Sequence, residues 1–318
     1  MKQFGKKASF LLLFCGCLSI VEGECRVRKD VYNILLITGV VTSDHEPRIN
    51  TMLRAMLEST GRFRVKITEE FRGATAETLE GYDAVLINYD GKDDQTAPYV
   101  GWGENAEGTL YDYAAAGGGV IVFHSSVIKG EPALPDEFVK LVGLEFDFFN
   151  GMRKSPKLEF AVNMVGGHEI VQGLQPVWLV QQDDLFVNPK RVDGANVTVL
   201  ATVRDDIADY EPAKIQKHRV AEFENVDLAA LPGIGADVPV AWTNMYGKGR
   251  VFAISIAHGP DTLRRPVCVA MLCRAAEWVC SGEVTIQPPD LSGENRLRAW
   301  PYYLDITWRE HAAMTQYL

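Results

Sequence analysis

The chain alternates between short continuous apolar runs and stretches with helical spacing. Tyr32 to Gly39 is a continuous apolar run ending in glycine, the pattern of a strand buried on both faces. Ile49, Leu53, Met56 and Leu57 recur at helical spacing over residues 47–60. Phe63 to Ile67 alternates apolar and charged residues and predicts a half-buried strand. Asp83 to Asn88 and Val120 to Phe123 predict two more buried strands. Between them Glu104 to Ala116 reads as a helix closed by Gly117-Gly118-Gly119. Strand and helix signals in alternation imply a parallel sheet covered by helices on both faces.

The second half is less regular. Residues 157–165, 197–204, 238–243 and 249–255 are strand candidates, and Arg264 to Cys280 predicts a helix with Pro266 in its first turn. No Pro-, Gly- or Ser-rich linker divides the halves. The reading is therefore one α/β domain over residues 24–286, a doubly wound, mostly parallel sheet that the second half extends. Residues 287–318, with Pro288-Pro289 and several aromatics, read as a C-terminal extension packed on that domain.

Residues 1–23 read as an export signal. Lys2, Lys6 and Lys7 precede the apolar run Phe10 to Val21, and Val21-Glu22-Gly23 offers small residues for cleavage. The run falls short of the about 20 residues that span a bilayer. Phe14-Cys15-Gly16-Cys17 loosely resembles a lipobox, so a lipid anchor at Cys17 is the second reading of the same segment. Either way the expected location is periplasmic or secreted.

Composition narrows the function classes. Hydrophobic residues at 47% and charged residues at 23% exclude global disorder. The formal charge of −10 becomes more negative once Lys2, Lys6, Lys7 and Glu22 are removed. It argues against a nucleic-acid or anionic-membrane surface as partner. A nucleotide cofactor is not expected, because Gly117-Gly118-Gly119 precedes a strand instead of following one. Gly247-Lys248-Gly249-Arg250, between two strand candidates, reads as a hairpin turn. Cys268, Cys273 and Cys280 share one apolar helix with spacing unlike that of zinc ligands, and read as small core residues.

In an open parallel sheet, ligands bind outside the carboxyl ends of the strands. Thr38 to Glu46, Asn88 to Gly91, His124 to Ser126 and Ala257 to Asp261 follow predicted strands and are expected to converge. Three of the six histidines, His45, His124 and His258, lie in these loops. Imidazole serves as acid, base or metal ligand near neutral pH. A single histidine is as readily a hydrogen-bonded packing residue; three at equivalent strand ends favour a site. Asp183-Asp184 adds adjacent carboxylates. On a strand such neighbours point to opposite faces, so one of them faces a site; a solvated turn is the other reading. Ser125 and Ser126 lack the Gly-x-Ser-x-Gly setting of a nucleophile elbow.

An ordered set of motifs resembles the trehalose-utilisation, or ThuA-like, family. Leu36-Ile37-Thr38-Gly39 with His45 comes first, then Tyr82 to Tyr89, then Gly117-Gly118-Gly119 with Val122-Phe123-His124, then Leu141-Val142-Gly143. His168-Glu169-Ile170-Val171-Gln172-Gly173-Leu174 resembles the family's His-Pro-Ile-x-x-Gly-Leu. Pro239 to Thr243 with Tyr246 to Phe252, followed by His258, is the most specific block, and Glu277-Trp278 closes the set. Departures are Glu169 for the usual proline, Asp183-Asp184-Leu185-Phe186 where Asp-Glu-Leu-Tyr is common, and Ala257 where glycine often precedes the histidine.

The resemblance implies a flavodoxin-like fold similar to class I glutamine amidotransferases, without their catalytic cysteine. It also implies a role in carbohydrate metabolism on a small sugar substrate, a glycoside or 3-keto-glycoside. Within it, His124 and His258 are the expected acid/base pair, with Asp184 orienting one of them. Tyr89, Asp90, Trp242 and His168 are the expected substrate contacts. A divalent metal, zinc or manganese, held by His45 and His124 is a second way to polarise a carbonyl. A non-catalytic sugar-binding protein of the same fold is the alternative, and assembly into a homo-oligomer is left open.

Overall fold

The structure is a computed structural model that describes residues 29–40, 48–92, 99–128, 136–147, 151–157 and 159–290. The expected export signal, Cys15, Cys17, Cys25, His45 and most of the C-terminal extension lie outside the described residues. Among the described residues no helix is long and apolar enough to cross a membrane.

The first half runs β1 (Tyr32–Ile37), α1 (Arg48–Ser59), β2 (Phe63–Thr68), α2 (Ala76–Leu79), β3 (Ala84–Ile87), α3 (Glu104–Ala115), β4 (Gly119–Phe123) and α4 (Asp136–Val142). Five two- to five-residue strands follow: β5 (Leu144–Glu145), β6 (Arg153–Lys154), β7 (Phe160–Met164), β8 (Val177–Val180) and β9 (Phe186–Val187). The chain ends with β10 (Lys190–Arg191), β11 (Thr198–Arg204), β12 (Asp237–Tyr246), β13 (Gly249–Ile254), α5 (Pro260–Leu263) and α6 (Pro266–Ser281).

Nine strands form one sheet in the order β2-β1-β3-β4-β13-β12-β11-β7-β8. From β2 to β13 every pairing is parallel. Beyond β13 the neighbours pair antiparallel, so β12 and β7 run against the rest. This is a mostly parallel mixed sheet in a single α/β domain of flavodoxin-like type, with the second half of the chain extending the first.

The continuous apolar runs follow from burial on both faces. In β1, Ile34 and Leu36 enter one core while Leu35 and Ile37 enter the other. The first core is closed by α1 and α6, the second by α3 and α4. β2 lies at the sheet edge and keeps its alternation, with Phe63 and Val65 inside and Arg64 and Lys66 outside. The expected hairpin joins β12 to β13 with Gly247 at φ +57°, and Tyr246 pairs with Gly249. Cys268, Cys273 and Cys280 are buried, and burial pushes the thiols of Cys268 and Cys273 up. β8 had no counterpart among the expected strands. It is four residues long and lies at the other edge, with Val177 and Leu179 exposed.

Two buried charges on α6 fasten the segments around its C-terminal half. Arg274 donates to the carbonyls of Ile170 (2.7 Å), Gln172 (3.1 Å), Glu169 and Ile286. The Glu277 carboxylate accepts from Thr285 N (2.6 Å), Ile286 N (2.9 Å), the Thr285 hydroxyl and the Arg62 guanidinium (3.1 Å). Burial works to raise the Glu277 carboxyl, but these donors hold it below the usual range. A depressed carboxyl contributes stability above its unfolded value of about 4.3, and that contribution is lost as pH falls through the folded value. Glu277→Gln is therefore expected to lose about 2 kcal/mol in urea unfolding at pH 7. The difference from the native chain should narrow when the same titration is run below about pH 4. An equal difference at both pH values would contradict the assignment.

Candidate active site

The parallel register brings the expected loops together. Phe123 of β4 pairs with Ile254 of β13, and Val122 pairs with Ile87 of β3. The next residues of all three strands thus emerge side by side at the carboxyl edge. Hydrogen bonds link them laterally. Asn50, in the first turn of α1, donates to the Thr38 hydroxyl (3.0 Å) and accepts from Asn88 Nδ2 (2.7 Å). Tyr89 N donates to Ser126 Oγ (2.8 Å), and Ser125 Oγ donates to Asp90 Oδ1 (3.1 Å).

Two histidines meet at the centre of this edge. His124 Nδ1 lies 3.0 Å from the Ser255 carbonyl. A carbonyl only accepts, so Nδ1 carries the hydrogen and Nε2 presents its lone pair. That Nε2 lies 3.1 Å from His258 Nδ1, which in turn is 3.3 Å from Asp184 Oδ2. His258 Nδ1–H is thus directed between an imidazole lone pair and a carboxylate. The His124 ring stacks on Phe186 at 5.7 Å and stands edge-on to His258 at 5.0 Å.

The backbone is bent to make this meeting. His124 has φ +48°, Ala257 +77° and Gln182 +55°. Each non-glycine residue in this region costs about 1–3 kcal/mol, held by its surroundings. Asp183 is one such support. Its carboxylate accepts from Ala257 N (2.9 Å), His258 N (3.0 Å) and Asp184 N (2.7 Å).

The two adjacent carboxylates differ in electrostatics. Burial pushes the Asp183 carboxyl up. Burial also works to raise Asp184, but the His258 hydrogen bond and the neighbouring His124 and Lys154 hold it well below the usual range. Lys154 Nζ lies 2.6 Å from Asp184 Oδ2. Burial lowers His258, yet its hydrogen bond to Asp184 and the two carboxylate charges raise it net above the usual histidine value.

The structure brings His124, His258 and Asp184 together, with Asp90 buried one loop away beside Ser125. It does not bring in Trp242, Tyr89 or His168. Trp242, expected to stack on a sugar, is fully buried in β12, donates its indole N–H to the Val142 carbonyl (2.8 Å) and stacks on Phe146. Tyr89 is 4% exposed, packs on Trp102 and gives its hydroxyl hydrogen to the Val100 carbonyl. Burial pushes that phenol up to about 12. His168 accepts from Ile170 N and stands edge-on to Trp278, near the end of α6. Val279, one residue on, abuts Gly119 at the start of β4, which places His168 at the opposite edge of the sheet. His45 lies outside the described residues.

Asp183 and Asp184 are not on a strand. They occupy the bend between β8 and β9, so both serve the site, one clamping the backbone and one facing His258. Lys154 and Asn50 were not singled out in the sequence. Asn50 carried a usable signal, since helices of a parallel α/β sheet begin at the carboxyl edge. Lys154, on a two-residue strand, carried none.

Comparison with known proteins agrees with this fold. A family model described as "ThuA: Trehalose utilisation" matches residues 33–279. No curated protein matches the chain. A ThuA-like protein from Parabacteroides merdae superposes with a TM-score of 0.58 at 21% identity, over 82% of this chain and 94% of its own. One from Bacteroides uniformis gives 0.58 at 15%, over 80% and 94%. A cytoplasmic protein from Salmonella typhimurium gives 0.50 at 17%, over 78% and 99%. At these identities the three share the fold with this chain.

The clamp and the facing carboxylate should respond differently to mutation. Asp183→Asn turns an amide N–H against a backbone N–H and is expected to cost about 2 kcal/mol in urea unfolding. Asp184→Asn removes a carboxyl that His258, His124 and Lys154 hold well below its usual range, so its cost should be present at pH 7 and shrink as pH falls below about 4. No loss of stability in Asp183→Asn would show that Asp183 does not hold the His258 backbone.

Proposed function

We propose, from the premise that this chain belongs to the trehalose-utilisation (ThuA) family, that it is an exported enzyme acting on a glycoside or 3-keto-glycoside, of the trehalose-like disaccharide class, through His124, His258 and Asp184. One observation carries the reading. At the carboxyl edge of the sheet, one imidazole with its lone pair fixed by a backbone carbonyl meets a second imidazole held by a carboxylate. That pairing suits concerted proton removal and delivery.

A keto group at C3 acidifies the C–H at C2. His124 Nε2 takes that proton, the C1–O bond to the leaving sugar breaks, and His258 protonates the departing oxygen. Asp184 stabilises the charged form of His258, and Lys154 keeps Asp184 ionised. Asp183 fixes the His258 backbone. The buried Asp90–Ser125 pair beside them provides contacts for sugar hydroxyls. Export is supported by Lys2, Lys6 and Lys7 before the apolar run Phe10 to Val21, with a lipid anchor at Cys17 as the membrane-attached form of the same proposal.

The test is turnover of 3-keto and parent disaccharides by the purified protein. His124→Ala is expected to lower kcat by about 100-fold or more. Undiminished turnover in His124→Ala on every sugar that the native chain converts would overturn the assignment. Sugar binding by the native chain without any turnover would identify a binding protein of the same fold.

A further inference from the structure

We infer that His124 Nε2, His258 Nδ1 and the Asp184 carboxylate form a binding site for one divalent first-row transition ion of the zinc class, in a three-ligand arrangement with an open fourth position. The inference rests on the proposed function's placement of the working centre at these three residues; an ion there occupies the His124 Nε2 lone pair, so that nitrogen is a base in the ion-free chain and a ligand in the ion-bound one.

Distance is the first argument. The three donor atoms lie within 4.8 Å of one another, with Nε2 to Nδ1 at 3.1 Å and Nδ1 to Oδ2 at 3.3 Å. Ligands about 2.0–2.1 Å from a tetrahedral ion stand roughly 3.4 Å apart. Two of the three separations are those of ligands on one ion, and closing the cage requires His124 Nε2 and the Asp184 carboxylate, which lie within 4.8 Å of each other, to reach the same spacing.

Donor state is the second. His124 gives its Nδ1 hydrogen to the Ser255 carbonyl, so Nε2 is the face turned to the trio. A backbone carbonyl on the far nitrogen is the usual outer partner of a metal-bound histidine. Two imidazoles and one carboxylate match catalytic zinc sites. They do not match calcium or magnesium, which want six or more oxygens.

Rigidity is the third. His124 at φ +48° and Ala257 at φ +77° aim the two rings, and Asp183 ties the backbone N–H groups of residues 257 and 258. Such support holds ligands in place before an ion arrives. The set adds His258 and Asp184 to His124 of the pair expected from sequence; His45 lies outside the described residues.

Lys154, 2.6 Å from Asp184 Oδ2, is the neighbouring cation. It neutralises the carboxylate in the ion-free protein and opposes an entering ion by charge. Binding through Nδ1 requires the His258 hydrogen to leave that nitrogen for Nε2.

The test is calorimetric titration of the chelator-dialysed full chain with Zn²⁺ in two buffers of different ionisation enthalpy, with Co²⁺ absorption as a geometric readout. Expected are one ion per chain and intense visible Co²⁺ bands of tetrahedral type. His258→Ala should weaken Zn²⁺ at least about 100-fold and Asp184→Asn about 10-fold or more, while Lys154→Gln tightens it. His168→Ala, at the far edge, should bind as the native chain does. Thermal unfolding of each variant without metal separates lost ligands from lost folding, and Asp184→Asn and Lys154→Gln carry the test should His258→Ala not fold. Absence of stoichiometric binding, or native affinity in a folded His258→Ala or Asp184→Asn, overturns the inference. Sugar turnover without ion binding would overturn the metal site and leave the acid/base reading standing; ion binding without turnover on any sugar would do the opposite.

Discussion

β13 lies parallel against β4 in the middle of the sheet, with Ile254 beside Phe123 and Val251 beside Val120, and the distances at the candidate site follow from that register. The two strands are separated in sequence by more than a hundred residues, yet the pairing puts the Ser255 carbonyl opposite His124 Nδ1. A slip of one residue would turn every side chain of β13 to the other face. It would take Phe252 and Ile254 out of one core and Val251 and Ala253 out of the other. The same apolar alternation that buries the strand therefore fixes the imidazole pair.

What the register supplies, the bends complete. Strands leaving a parallel sheet point their next side chains alternately up and down, which would keep two neighbouring rings from meeting. Left-handed turns at His124 and Ala257 redirect both. Position 257 asks for positive φ, a conformation that suits glycine best. Alanine accepts it here because the clamp by Asp183 holds residues 257 and 258 from the outside. A buried carboxylate that bonds backbone N–H groups satisfies three donors left over where the chain departs from strand geometry.

Much of the fold was legible because burial on two faces writes a continuous apolar run, as in β1, β3 and β4. His124 and His258 were legible for the same reason, since a polar residue directly after such a run sits at the ligand edge. The sequence could not say which aromatic side chains turn outward. Trp242 lies in the most specific motif block, but β12 is central to the sheet and both its faces are covered. His168 belongs to a motif whose place depends on where α6 ends, a matter of packing and not of spacing. Asp183-Asp184 followed an apolar run and invited a strand reading; Gln182 at φ +55° ends that strand early and lets both carboxylates serve one site.

α6 separates the two ends of the molecule. Its 16 residues span about 24 Å, from the carboxyl edge near His258 to the amino edge at Gly119. The Arg62–Glu277 ion pair and the carbonyl and amide contacts of Arg274 and Glu277 lie on the far half, where they fasten the 169–172 and 285–286 segments. His124, Gln182 and Ala257, all at positive φ, lie at the near end. The anchors of α6 are thus set away from the candidate site, and these three bends are set at it. A site that bends His124 and Ala257 away from their preferred geometry needs a rigid frame to hold the bend. The sheet core and the anchors on α6 are that frame. In this arrangement His168, a motif histidine, packs at the end of α6 away from the His124–His258–Asp184 cluster.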